Sequence, residues 1–153
     1  MYRVFVSYST RDVDWASYLQ QLLIDAGVGV FVAEHDVALG VSLSRRISAE
    51  LKACNLFILL WNRLSEASSF LQSEIFLAKL ENKRILPLLL DRLAKLPPML
   101  GDLKYLPLHR DPRSTLAETK KLVSDPAQKK AVCNLIAVAL TAFIGWVLLK
   151  ENE

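Results

Sequence analysis

The run "AVCNLIAVALTAFIGWVLL", residues 131–149, narrows the folds open to this chain more than any other stretch. It holds nineteen residues without a charge, and Asn134 and Thr141 are its clearly polar side chains. As a helix it is long enough to cross the roughly 30 Å hydrocarbon core of a bilayer. Lys129 and Lys130 precede it, while Lys150 and two acids follow. Trp146 sits near the far end, where an interfacial aromatic belongs. The expectation is a single membrane-spanning helix over 131–149, with a basic linker over 127–130 and a short tail over 150–153. The alternative is a buried core helix of the same composition.

Residues 1–126 then form one domain, long enough for a real core and too short for two. No signal-like segment opens the chain: "MYRVFVSYST" enters a strand at once. The domain is therefore expected in the cytoplasm, tail-anchored and single-pass. Charge is distributed accordingly. Residues 1–103 carry 11 basic and 11 acidic side chains, whereas 104–130 carry seven basic against three acidic. A basic stretch beside an apolar helix suits anionic cytoplasmic lipid. The net charge of +3 thus points to a lipid bilayer as partner and not to nucleic acid, since no basic residues alternate with aromatics to stack bases. Cys54 and Cys133 lie far apart and define neither a disulfide framework nor a metal site.

Along the domain, strand-like and helix-like patterns alternate. "RVFVSY", 3–8, is β-prone. "DVDWASYLQQLLIDAG", 12–27, has apolar residues at helical spacing, with Asp12 to cap it and Gly27 to stop it. "VGVFV", 28–32, is a second strand, and "AEHDVALG", 33–40, a loop. A helix follows over 42–54, with Ser42 as its cap, and then the nearly all-apolar strand "NLFILLW", 55–61. Ser69 and Gln72 make a capping-box spacing at the next helix. "RILPLLL", 84–90, is a fourth strand interrupted by Pro87, "YLPL", 105–108, a short fifth, and 114–125 a last helix. Strands alternating with helices imply a parallel sheet covered on both faces. Right-handed crossovers make it an α/β, flavodoxin-like doubly wound sheet, ordered 2-1-3-4-5. Ligands in such sheets bind at the carboxyl ends of the strands. Those ends carry Ser7 to Arg11, Ala33 to Ser42, and Trp61 to Phe70.

The helix "SSFLQSEIFLAKLENK", 68–83, has one flaw. Phe70, Leu71, Leu77 and Ala78 recur at helical spacing, and Glu74 sits three or four positions from each. A carboxylate in an apolar stripe either reaches solvent, pairs with Lys79 or Arg63, or serves a site. Beside it, bland readings apply: Arg45 and Arg46 to a solvated face, Ser7 to its own turn, His35 and His109 to the surface. Trp15 is expected to pack between helix and sheet.

These motifs, taken in order, resemble a TIR domain. "VFVSYS", 4–9, looks like the family's first box, with Asp12 and Trp15 following. "FVAEHDVALG", 31–40, looks like the second box and the loop after it. "ISAELKACNLFILLWN", 47–62, and "FLQSEIFLA", 70–78, resemble the helix–strand and aromatic-x-x-x-Glu segments. The resemblance implies that Glu74 is the catalytic residue of an enzyme cleaving NAD+ at its nicotinamide–ribose bond, with NAD+ as substrate and no cofactor or metal. It further implies that Ser7, Tyr8, Arg11, Trp61 and Phe70 bind substrate. Asp36, Gly40 and Ser42 would belong to a loop that mediates assembly and completes the site between neighbouring domains. Phe70 stands where many such enzymes carry tryptophan, "VALG" lacks their proline, and the third box has no Phe-Trp pair.

The minimal architecture looks like prokaryotic TIR proteins of antiphage defence, Thoeris-like, whose product is ADP-ribose or a cyclic ADP-ribose signal for a downstream effector. The competing function is a non-catalytic TIR adaptor at the membrane. A phosphoreceiver needs an acidic pair after the first strand and an aspartate ending the third, which "SYST" and "LLWN" do not supply. In the apolar run, Ala137, Thr141 and Gly145 fall four apart, a small-residue face through which membrane helices could self-associate.

Overall fold

The computed structural model describes residues 2–33, 41–91, 93–101, 103, 119–121, 123–125 and 128–151. Four strands, β1 (Arg3–Ser7), β2 (Gly29–Val32), β3 (Leu56–Trp61) and β4 (Ile85–Leu89), form one sheet in the order β2-β1-β3-β4. Every pairing is parallel, as alternation with helices demanded. The helices are α1 (Val13–Asp25), α2 (Val41–Ala53), α3 (Ser69–Leu80) and α4 (Lys130–Glu151). Residues 119–121 and 123 are also helical. The expected fifth strand, 105–108, with His109, the loop 34–40, with His35, and most of helix 114–125 lie outside the described residues.

Register sends alternate side chains to opposite faces. Val4, Val6, Ile58 and Leu60 join one cluster with Leu19 and Leu23 of α1 and Leu140 and Phe143 of α4. Phe5, Phe57, Leu59 and Trp61 join another with Leu51 of α2 and Leu71, Ile75 and Ala78 of α3. Phe5 pairs with Phe57 across the central strands, and their rings stack with centroids 5.4 Å apart. Pro87 is tolerated because, among the described residues, β4 pairs with β3 alone.

Helix ends follow local chemistry, with two corrections. Gly27 takes φ +85°, which stops α1 and lets Val28 N–H reach back to Leu23 O. Asp12 stands at the N-cap of α1 but makes no side-chain cap; its carboxylate accepts from Asn62 Nδ2 at 2.6 Å instead. The cap of α3 is Ser68, one residue before the expected Ser69, and its Oγ accepts from Leu71 N at 3.3 Å.

The apolar run forms the longest helix, α4, and its span Lys130–Lys150 is long and apolar enough to cross a membrane. In the structure it lies docked against α1, with Ile136, Ala137, Leu140, Phe143 and Val147 fully buried. Trp15 of α1 packs edge-on against Phe143 and Trp146 of this helix, so its partner is α4. The small-residue face is divided by this docking. Ala137 is buried, the Thr141 hydroxyl donates to Ala137 O at 2.8 Å, and Gly145 alone of the three is exposed. Ala137, Thr141 and Gly145 therefore do not form one presented surface, because Ala137 faces the domain and Gly145 faces away from it.

Candidate functional site at the carboxyl ends of the strands

Glu74 lies on the buried side of α3, between Leu71 and Ala78, and is 6% exposed. Ser7 ends β1 on the face that α3 covers, since it follows Phe5 by two residues. Its hydroxyl donates to Glu74 Oε2 across 67 residues of chain. Of the alternatives open in the sequence, Lys79 is committed elsewhere: its ammonium donates to Met99 O. The interruption in the apolar stripe of α3 is thus a carboxylate held by the end of a central strand.

The carboxyl ends of β1 and β3 open into a cleft of about 710 Å³, whose lining begins two residues beyond Ser7. Arg11 and Ser9 line it from the β1 side, and Arg63, Ser68 and Phe70 from the segment leading into α3. Such a volume suits a small organic ligand. Phe70 is 38% exposed and lines the cleft. Glu74 is not among the lining residues; it lies one turn further along α3 than Phe70.

The remaining expected site residues are scattered. Tyr8 is buried at the start of the loop after β1. Trp61 must be corrected: it is 1% exposed, and its indole N–H donates to Lys95 O at 2.7 Å. It is a core side chain, because its strand position puts it on the inner face with Leu59 and Phe57. Asp36 and Gly40 fall outside the described residues, and of Ser42 only the backbone, within α2, is described.

Sequence reading missed two elements of the site. Ser9, Arg63 and Ser68 line the cleft, a role signalled by their position just after β1 and β3. The second is the Asp12–Asn62 hydrogen bond, which ties the loop after β1 to that after β3. Burial pushes the Asp12 carboxyl up to about 6, against the lowering effect of that bond. Burial likewise pushes the Cys54 thiol up to about 11, which leaves it a poor nucleophile. Among the described residues no cluster of His, Cys, Asp and Glu could hold a metal ion.

Against known proteins, a family model described as TIR domain matches residues 4–123. No curated protein matches the chain. Among solved structures, the TIR domain of a Toll-related receptor from Hydra magnipapillata is 22% identical with a TM-score of 0.59, over 70% of this chain and 84% of that one. A prokaryotic SEFIR domain is 16% identical with a TM-score of 0.58, over 84% and 97%. A CMP N-glycosidase from Clostridium botulinum is 19% identical with a TM-score of 0.50, over 69% and 88%. At such identities the likeness is one of fold.

Proposed function

The chain belongs to the TIR-domain family, and from that premise we propose that it cleaves the nicotinamide–ribose bond of NAD+ with Glu74 as catalytic residue. One observation carries this reading: a carboxylate is buried in an apolar helix face and held by Ser7, beside a cleft at the ligand-binding end of the sheet. Burying a carboxylate for packing alone is unfavourable. The chemistry suits a single carboxylate. Nicotinamide leaves as a neutral base from a cationic ring and needs little acid help. The ribose passes through an oxocarbenium-like state, which a nearby carboxylate stabilises electrostatically. Ser7 would aim that carboxylate, Arg11 would meet the nucleotide phosphates, and Phe70 would pack on the ribose or nicotinamide. One protein of this fold is itself named an N-glycosidase.

The product is ADP-ribose or a cyclic ADP-ribose signal, serving antiviral defence or cell-death signalling through a downstream effector. The loop with Asp36, Gly40 and Ser42 would complete the site between assembled domains. Membrane anchoring would require α4 to leave α1, so the chemistry proposed here is independent of a bilayer.

A second reading, a non-catalytic TIR adaptor, is favoured by one observation: the cleft lining stops short of Glu74. The test is to incubate the full chain at high density with NAD+ and follow nucleotides by chromatography. Wild type should consume NAD+ and release nicotinamide, and Glu74→Gln should be slower by about 100-fold or more. If neither protein touches NAD+, the adaptor reading replaces this one; equal consumption by both would remove Glu74 from the chemistry.

A further inference from the structure

A second cavity, of about 540 Å³, opens where the chain enters α4. It lies at the amino-terminal end of the sheet, away from the cleft described above. Asp125 in its lining sits 3.8 Å from Arg84, the residue just before β4. Three lysines line the same cavity. Lys120 and Lys121 come from the helical residues that precede Asp125, and Lys130 begins α4. Asp125 is paired with Arg84, and among the described residues none of the three ammonium groups has a carboxylate within ion-pair distance. Like charges gathered without a counter-charge repel one another. Gln128 and Asn134 add side-chain amides to the lining, and among the described residues neither amide has a hydrogen-bond partner.

Helix polarity sharpens the point. The first turn of α4 contains no acid, and Lys129 and Lys130 stand at its start. The amino terminus of a helix is the positive end of its dipole, so lysines there are set against the field. A bound anion would relieve that repulsion, because it meets the ammonium groups and the helix end together. We propose that this cavity binds a phosphate-bearing ligand. Lysine ammonium groups act as point charges and suit a tetrahedral phosphate, which carries about two negative charges. The Ser124 hydroxyl and the amides of Gln128 and Asn134 can donate to the remaining phosphate oxygens. The volume leaves room for an organic group of small-ligand size beside the phosphate. A soluble phosphorylated metabolite and the headgroup of an anionic phospholipid offer the same chemistry. The cavity shares no residue with the proposed NAD+ site and stands independently of it.

The experiment is calorimetric titration of the full chain with inorganic pyrophosphate. Wild type should bind it saturably, and Lys121→Gln and Lys130→Gln should each weaken binding by about 10-fold. Both positions are exposed, so without pyrophosphate the variants should melt no lower than wild type. Lys52→Gln removes the same charge from an exposed position on α2 and should leave binding unchanged. In a second arm the chain is sedimented with phosphatidylcholine vesicles, with and without phosphatidic acid. Sedimentation that requires phosphatidic acid, is lost in Lys121→Gln and is competed by pyrophosphate assigns the cavity to a lipid headgroup. Saturable pyrophosphate binding without such sedimentation assigns it to a soluble ligand. Equal weakening by Lys52→Gln and Lys121→Gln would overturn the proposal, since net charge alone would then account for binding. So would pyrophosphate binding that follows Arg11→Gln and ignores both lysines, which belongs to the cleft at the other end of the sheet. Absence of binding in both arms would overturn it outright.

Discussion

The two faces of the sheet are each covered by two helices, yet they treat polar groups in opposite ways. On the face covered by α1 and α4, the cluster carries two phenols, Tyr2 and Tyr8, and the Tyr2 hydroxyl is buried with no hydrogen-bond partner among the described residues. Burial pushes that phenol up to about 12. On the face covered by α2 and α3, a full carboxylate is buried and Ser7 is aligned to meet it. One face packs, and the Tyr2 hydroxyl is an imperfection in it. The other holds a polar pair at the strand ends where ligands bind in this fold. Polar burial without function tends to be incomplete, whereas polar burial in a site is organised.

This contrast can be tested first on the packing face. Phe143→Ala opens a cavity between α4 and the sheet and should lower stability by about 3–5 kcal/mol in chemical denaturation. Were α4 undocked from the domain, the same substitution would leave the unfolding midpoint unchanged.

At the strand ends, Asp12 supplies a pH signature. Its carboxyl is raised from 3.8 to about 6, so the folded protein keeps a proton that the unfolded chain gives up. The stability tied to that proton is fully present below about pH 4 and is lost as the pH rises to 6, a change of roughly 2–3 kcal/mol. Asp12→Asn should remove that slope from denaturation midpoints measured across this window.

The polar pair itself gives a smaller and more telling effect. Ser7→Ala takes a donor from a buried carboxylate and should destabilise by about 1–2 kcal/mol. Ser7→Ala with Glu74→Leu makes the α3 face resemble the α4 face and should recover that loss or exceed it, while abolishing NAD+ cleavage. A double variant less stable than Ser7→Ala would mean that the pair is structural. Smallest of all, Tyr2→Phe removes the unpartnered hydroxyl and should raise stability by about 0.5–1 kcal/mol in thermal melts.

Much of the architecture was legible in residue order. Hydrophobic period marked α1 and β3 to within two residues and α3 to within three, because period reports which side of an element faces inward. Gly27 was readable as a helix stop because few other residues accept its backbone angle. Spacing placed Glu74 in the apolar stripe of α3 and left open whether its carboxylate reached solvent. The cap of α3 was misread by one residue, and Asp12 as a side-chain cap, because several polar residues at a helix start compete for the same amides. Asp12 lost that competition to Asn62, fifty residues away.

Order along the chain was therefore enough for the parallel sheet, its helices and the position of the buried carboxylate, since these depend on neighbours within a turn or a pleat. Tertiary structure alone decided that Ser7 meets Glu74, that Trp61 belongs to the core, and that the uncharged run lies against α1. Composition measures how apolar a helix is and carries no record of what covers it. A domain core and a lipid bilayer satisfy the same nineteen residues, and only contacts between distant segments distinguish the two.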